Sequence, residues 1–353
     1  MPPASDALRP LSSSGRERTP PPSASNGLEA AQCTLRVQPV RLDGWAERHG
    51  LSPLLLAGLV FVVAWLLFQT VAGIVAGLGI AIDLVKSGAD FDAAGGADSL
   101  TGLMEQYPHL VLLGNTAGQV VGIGGMAWLA TRLSTRSDGA RFLRLHRPAA
   151  KGIGLAALGW VVALPLLLWI AEANARVPLP EWAEALERTQ TDFLDGLLLG
   201  GEVSVGFLLV ALAVTPALFE ELLFRGYLQR QVERRWGTLA SIVLVGLCFG
   251  AYHARLSQLL PLAVLGMYLG FAVWATGNLW AGSLVHLLHN GATVLVTHAL
   301  RQPSSLAEGL DEWHVPTWLL LTSGVLAAAA VWALYRYREV ERTKLPDTGA
   351  PER

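Results

Sequence analysis

The sequence predicts an all-α fold, a polytopic membrane bundle of about eight transmembrane helices around a polar intramembrane cavity. Hydrophobic residues make up 52% of the 353 positions and charged residues only 15%, whereas a soluble domain carries about 25% charged residues. The apolar residues are gathered into long uncharged runs, each long enough for a helix across a bilayer. The basic residues are concentrated in alternate loops, as expected when alternate loops face the cytoplasm.

Composition divides the chain into five segments. Residues 1–50 are rich in proline and serine and lack apolar periodicity, so they are expected to form a disordered cytoplasmic tail. Residues 51–200 hold the N-terminal transmembrane helices and their loops, and residues 201–300 form the core that carries the polar motifs described below. Residues 301–338 contain the last transmembrane helix, and residues 339–353 form a second cytoplasmic tail.

Eight apolar runs define the predicted transmembrane helices. They lie near residues 53–82, 109–131, 152–172, 203–224, 238–254, 259–277, 279–300 and 316–337. Between the third and fourth runs, residues 178–200 have a helical apolar pattern that predicts an amphipathic helix on the outer surface. Basic clusters precede the first and third spans, follow the fourth and end the chain. This distribution places both termini in the cytoplasm, as an even number of spans requires.

Cysteine content and net charge exclude two classes of protein. The only two cysteines, Cys33 and Cys248, cannot form a disulfide framework. The net charge of −2 provides no basic field for a nucleic acid partner.

The fourth span ends in the stretch 219-FEELLFRGYL-228, which places three ionisable groups where burial is costly. Glu221 and Arg225 are four residues apart, so they share a helix face and can form a pair. Glu220 points roughly 100° away from Glu221 and is left to face other groups. Because ionisable residues are rare inside transmembrane segments, this cluster indicates a functional site.

Two further spans carry polar groups. Span five has His253 one turn after Phe249, and span seven has His286 and Asn290 on one face. His289 lies near that face and is expected to have a structural role. If the fourth helix continues to about residue 235 before it turns, these groups reach a similar depth and share one wet pocket.

Such groups suit the hydrolysis of a peptide bond. A buried glutamate close to a histidine can activate water, and His286 and Asn290 can donate hydrogen bonds to a developing oxyanion. Alternatively, Glu220, His253 and His286 could bind Zn²⁺, although no HExxH helix is present. The cofactor prediction is therefore either none or zinc.

The motifs E-E-x-x-x-R, F-x-x-x-H and H-x-x-x-N, in this order, resemble those of the CAAX protease and bacteriocin-processing family, also called type II CAAX prenyl endopeptidases. The matching residues are Glu220, Glu221, Arg225, Phe249, His253, His286 and Asn290. The resemblance covers about residues 200–300. It implies an intramembrane endopeptidase in which Glu220 and His253 activate water, His286 and Asn290 bind the oxyanion, and the other three residues support them. Both a metallopeptidase and a metal-free glutamate mechanism have been assigned to this family. The missing HExxH motif favours the metal-free mechanism.

The resemblance leaves the substrate open. Relatives cut after a prenylated cysteine, process bacteriocins or remove C-terminal sorting tails, so a membrane-associated or lipidated protein in a bacterial inner membrane is expected. Two other classes also stay open. One is a transporter or channel that uses Glu220, Arg225 and the histidines as an ion path. The other is a non-catalytic immunity or scaffold protein of the membrane.

Overall fold

The computed structural model describes residues 40–87, 102, 106–199, 203–300 and 314–343. Over these residues the chain is helical and contains no β-strand. The predicted tail residues 1–39, with Cys33, and 344–353 lie outside the described ranges.

Ten helices and one 3₁₀ turn form the described fold. The helices are α1 Trp45–Arg48, α2 Pro53–Ser87, α3 Pro108–Ser134, α4 Gly139–Phe142, α5 Ala150–Ala175, α6 Glu181–Leu199, α7 Val205–Tyr252, α8 Leu259–Thr276, α9 Leu279–Leu300 and α10 Thr317–Thr343, and the 3₁₀ turn Leu256–Gln258 precedes α8. Seven of them, α2, α3, α5 and α7 to α10, are long and apolar enough to cross a membrane. The predicted all-α membrane bundle is therefore confirmed.

Helix α7 accounts for the difference between seven helices and eight predicted spans. It has 48 residues, about 72 Å at 1.5 Å per residue, which is more than twice the roughly 30 Å of a bilayer core. Gly237 interrupts it with non-helical backbone at φ 80°, a conformation that glycine adopts at little cost. The two arms, 205–236 and 238–252, correspond to predicted spans four and five. The first arm continues well past Arg225, as the depth argument required.

Three π-helical segments lie in the helices that build the polar core. They are Gln119–Gly124 in α3, and Val210–Val214 and Leu222–Leu228 in α7. Pro216 helps to explain one of them, because it has no N–H for the carbonyl of Leu212 four residues earlier. That carbonyl is therefore free to accept a bond from another helix, and π segments of this kind are frequent at functional sites.

Helix packing brings the polar motifs together. The second arm of α7 packs along α8, α2 packs along α3, and α5 packs along α10. Helix α9 contacts α5, α8 and the first arm of α7. A core of buried apolar residues, including Ile123, Phe224 and Phe249, lies between α2, α3 and the two arms of α7. Exposed leucines and valines cover the outer faces of the long helices, as expected for surfaces in contact with lipid.

Residues 40–50 differ from the predicted disordered tail. The backbone N–H of Gly44 donates to the carbonyl of Ser134 at 3.1 Å, and Glu47 on α1 accepts a hydrogen bond from Arg234 at 2.6 Å. Both contacts join residues that are far apart in the sequence, so the composition of the tail could not predict them. They anchor α1 to the ends of α3 and of the first arm of α7.

Candidate active site

The predicted site residues lie on three helical segments. Glu220 and Glu221 end the short α-helical stretch Thr215–Glu221 between two π segments of α7. His253 follows the second arm of α7 directly, and His286 and Asn290 lie on α9. The structure brings the acidic pair and the α9 residues into direct contact, as described next.

Glu221 and Arg225 form the predicted ion pair. Nη1 of Arg225 lies 2.6 Å from Oε1 of Glu221, and both side chains are completely buried. Nη2 of Arg225 donates to the carbonyl of Gly266 on α8 at 3.0 Å, and the guanidinium lies over the ring of Phe249 at 4.3 Å. Each partner thus compensates a charge that would be costly to bury alone, and the pair joins the two arms of α7 to α8.

Glu220 has a different environment from Glu221. Gln119 on α3 donates to Oε1 of Glu220 at 2.8 Å. Oε2 of Glu220 has no hydrogen-bond partner among the described residues and lies 3.9 Å from Nε2 of His286. One oxygen of a buried carboxylate is therefore held by an amide, while the other faces an imidazole.

Contacts of His286 define which nitrogen carries its proton. Nδ1 lies 3.0 Å from Oε1 of Glu221, and a carboxylate oxygen can only accept, so Nδ1 is the donor. Nε2 then faces Glu220 and the amide of Asn290. With a neutral imidazole, the two carboxylates and one guanidinium leave a buried charge of −1. A proton on Nε2 would turn this nitrogen into a hydrogen-bond donor.

Asn290 is anchored by the π segment of α7. Its Nδ2 lies 3.0 Å from the carbonyl oxygen of Leu212 and 3.3 Å from Nε2 of His286. The carbonyl contact identifies this atom as the amide nitrogen, since an oxygen there would meet another acceptor. Beside a neutral His286, both amide hydrogens of Asn290 point at protein acceptors. Donation to an oxyanion therefore requires the exchange of one of these bonds.

His253 lies against the aromatic ring of Phe249. Its Nδ1 donates to the carbonyl of Phe249 at 2.9 Å, which leaves Nε2 as the acceptor nitrogen of the neutral ring. The ring centroid of Phe249 lies 5.0 Å from that of His253 and 5.5 Å from that of His286. Phe249 thus contacts both imidazoles and the Arg225 guanidinium.

The donor geometry does not form a three-ligand metal site. Among the described residues, no group of three or more His, Cys, Asp or Glu side chains is placed to hold a metal ion. Glu220 and His286 are close to each other, whereas the described contacts of His253 are with Phe249 and Tyr252. The zinc site that the sequence allowed, with Glu220, His253 and His286 as ligands, does not fit this arrangement.

Sequence reasoning missed the contribution of α3. Gln119 contacts Glu220, and Asn115 donates from the same face of α3 to the carbonyl of Ala211 at 3.4 Å. The pattern that could have indicated this contribution is two amide side chains, four residues apart, in a largely apolar span. His289, by contrast, accepts from the indole of Trp160 at 3.4 Å and makes no such contact with the acidic pair.

A largely apolar cavity of about 350 Å³ lies one helical turn from the acidic pair. Its walls include Ala217 and Leu218 on α7, and Ser283 and Leu287 on α9. Ala217 precedes Glu221 by four residues, and Leu287 directly follows His286. An apolar chain in this cavity would therefore end close to the polar cluster.

We predict that Gly282→Ala disrupts the site. A Cβ at Gly282 would lie 2.7 Å from both Oε2 of Glu221 and Cγ2 of Val273, and overpacking of a buried contact costs about 1–3 kcal/mol. The matched control on the same helix is Gly291→Ala, whose Cβ meets its nearest neighbours at 4.0 Å. Thermal unfolding of the two purified variants checks the prediction, and equal stabilities would contradict it.

Comparison with known proteins gives one match. Residues 202–292, about a quarter of the chain, match the family model described as Type II CAAX prenyl endopeptidase Rce1-like. This segment contains all three motifs, so the match confirms the resemblance predicted from them. No curated protein and no solved structure matches the chain.

Proposed function

We propose that this chain, whose residues 202–292 form an Rce1-like domain of the type II CAAX prenyl endopeptidase family, hydrolyses a peptide bond in a membrane-associated protein. The observation that carries the proposal is that two adjacent buried glutamates have different contacts. Glu221 is neutralised by Arg225. Glu220 keeps one oxygen that has no hydrogen-bond partner in the described part of the chain and faces His286, as a general base requires.

In this proposal Glu220 removes a proton from water as the water oxygen attacks the scissile carbonyl. The same proton then passes to the amine as the C–N bond breaks, so the carboxylate is restored. The acceptor Nε2 of His253 helps to hold the attacking water. We assign oxyanion binding to His286 and Asn290, with His286 in its doubly protonated form, in which Nε2 is a donor. Glu221, Arg225 and Phe249 hold these groups in place.

The metal-free version of the reaction is the one that the geometry supports best, because Glu220, His253 and His286 do not form a ligand set. The measurement is cleavage after treatment with phenanthroline. We expect undiminished activity in its presence. Inactivation that added Zn²⁺ reverses would contradict the metal-free mechanism.

The apolar cavity beside the cluster supports a lipidated or transmembrane substrate. Its walls on α7 and α9 lie within a turn of Glu221 and His286, so an apolar chain bound there could approach them while remaining in the hydrocarbon region. The bond to be cut would then lie next to the point where that chain leaves the cavity. From the positive-inside rule we infer that both termini are cytoplasmic and that, in a bacterium, the protein lies in the inner membrane.

Cleavage in proteoliposomes tests the function. Two fluorescent reporters are used, a peptide ending in a prenylated cysteine plus three residues and a single-span protein with a C-terminal tail. We expect the parent protein to cut one of them and His253→Ala to cut neither. Cleavage by His253→Ala at the parent rate would contradict the assignment. An ion flux that requires Glu220, without cleavage of either reporter, would favour the transporter alternative.

A further inference from the structure

The turn after His253 is held by side chains from outside the polar cluster. Residues 253–258 connect the second arm of α7 to α8, and they lie next to the N-terminal part of the amphipathic helix α6. Glu187 on α6 accepts hydrogen bonds from the backbone N–H groups of Leu256 and Ser257, at 2.5 and 3.1 Å from its Oε1. This carboxylate is buried, with 7% of the residue exposed, yet it has no part in the proposed reaction.

Two more side chains, Asn174 and Thr191, hold the same turn. Asn174, at the end of α5, donates to the carbonyl of Leu256 at 2.9 Å and accepts from the N–H of Leu260 at 2.8 Å. Thr191 on α6 accepts a bond from Arg255 at 2.9 Å. Both backbone polar groups of Leu256, three residues after His253, are thus held by other elements.

The backbone of this turn would not keep its shape alone. Ala254, which directly follows His253, lies in the left-handed region at φ 52°. A residue with a Cβ is disfavoured in this region, and such conformations persist when the surrounding structure holds them. Any relaxation of Ala254 would move His253, because the two share a peptide bond.

Glu187 is ionised near neutral pH. Burial raises its pKa, but hydrogen bonds from Ser257 and Leu256 and the charge of Arg255 outweigh burial, so the net direction is downward. A charged carboxylate forms stronger hydrogen bonds to backbone N–H groups than a neutral acid does. The contact is therefore at full strength under conditions in which the enzyme would work.

We propose that Glu187 is a positioning residue for His253, and that α6 acts as an outer strap which holds the His253 turn in its reactive geometry. This inference rests on the proposed function, because it assigns His253 to the reaction. It gives a role to the amphipathic helix, which none of the three motifs includes. The strap acts through the backbone, from Leu256 and Ser257 back to His253, and no described contact joins Glu187 to the reacting groups.

Three variants of α6 test the strap. Glu187→Ala removes both N–H contacts, and because a displacement of about 1 Å at a reacting group can cost about 10²-fold, we expect a fall of about 10²-fold in kcat with little change in KM. Glu187→Gln keeps an oxygen that can accept both bonds, so it should recover much of that loss. The matched control is Glu184→Ala on the same helix, since Glu184 is exposed and pairs with exposed Arg188. Parent-like kcat in Glu187→Ala would overturn the inference.

A second measurement separates this inference from the proposed function. The rate at which diethyl pyrocarbonate modifies His253, read by mass spectrometry of the peptide, reports the imidazole without requiring activity. We expect a several-fold change in Glu187→Ala and none in Glu184→Ala. An unchanged rate in Glu187→Ala, with His253→Ala inactive, would overturn the strap and leave the function standing. A changed rate together with full cleavage by His253→Ala would instead overturn the assignment of His253, and the catalytic meaning of the strap with it.

Discussion

Glu220→Gln is expected to slow cleavage by about 10²–10⁴-fold, the usual contribution of a general base. Glutamine has nearly the same shape and its oxygen can still accept the bond that Gln119 donates to Oε1 at 2.8 Å. The amide cannot, however, take a proton from water. The rate should therefore fall while insertion and thermal stability stay close to those of the parent, and reporter cleavage in proteoliposomes measures the change.

The control for this experiment is Glu233→Gln, which changes another buried glutamate on the same arm of α7. Arg144 contacts Glu233 at 2.7 Å, and both side chains are more than nine-tenths buried. Removal of that charge leaves a buried arginine without its partner, so Glu233→Gln should lose stability while its folded fraction cleaves at the parent rate. Full activity of Glu220→Gln would remove Glu220 from the mechanism. A loss of rate in both variants at equal stability would show that burial alone explains the effect.

Local spacing in the sequence was sufficient to predict the helical architecture and the ion pair between Glu221 and Arg225. Apolar runs located each long helix, and Gly237 lies where the fourth and fifth predicted spans had to separate. The i to i+4 relation of Glu221 and Arg225 predicted their contact, because a helix fixes the geometry between such positions. The relation of His286 to Asn290 follows from the same rule, and their side chains are 3.3 Å apart.

Contacts between distant segments could not be predicted in this way. Gln119 lies 101 residues from Glu220, and no local rule states which face of α3 meets α7. The hydrogen bond from Asn290 to Leu212 depends on a carbonyl left free near Pro216, which sequence spacing did not connect with span seven. The contact of Phe249 with His286 likewise joins the second arm of α7 to α9, and no local rule predicts it.

Arg225→Leu is expected to lower the free energy of unfolding by about 3–5 kcal/mol, because it leaves the buried Glu221 carboxylate without its cation. The variant also loses the bond to the Gly266 carbonyl and the contact with the Phe249 ring. Arg225→Lys should give an intermediate loss. Lysine keeps the charge, but it lacks the planar fork that reaches Glu221 and Gly266 together. Thermal or denaturant unfolding in detergent micelles measures these differences.

The contribution of an ion pair to stability depends on its exposure to solvent. Arg188→Leu provides the comparison with the buried pair. Arg188 and Glu184 form the same i to i+4 pair in α6, but their side chains are 70% and 59% exposed, so the loss should not exceed about 1 kcal/mol. The double variant Glu221→Leu/Arg225→Leu should recover part of the stability lost in Arg225→Leu, because it removes the stranded charge. It should not recover cleavage, since His286 would lose the carboxylate that fixes its Nδ1 proton. Recovery of both stability and cleavage would show that the Glu221–Arg225 pair has only a packing role. Recovery of stability alone would indicate that the pair orients His286 beside Glu220.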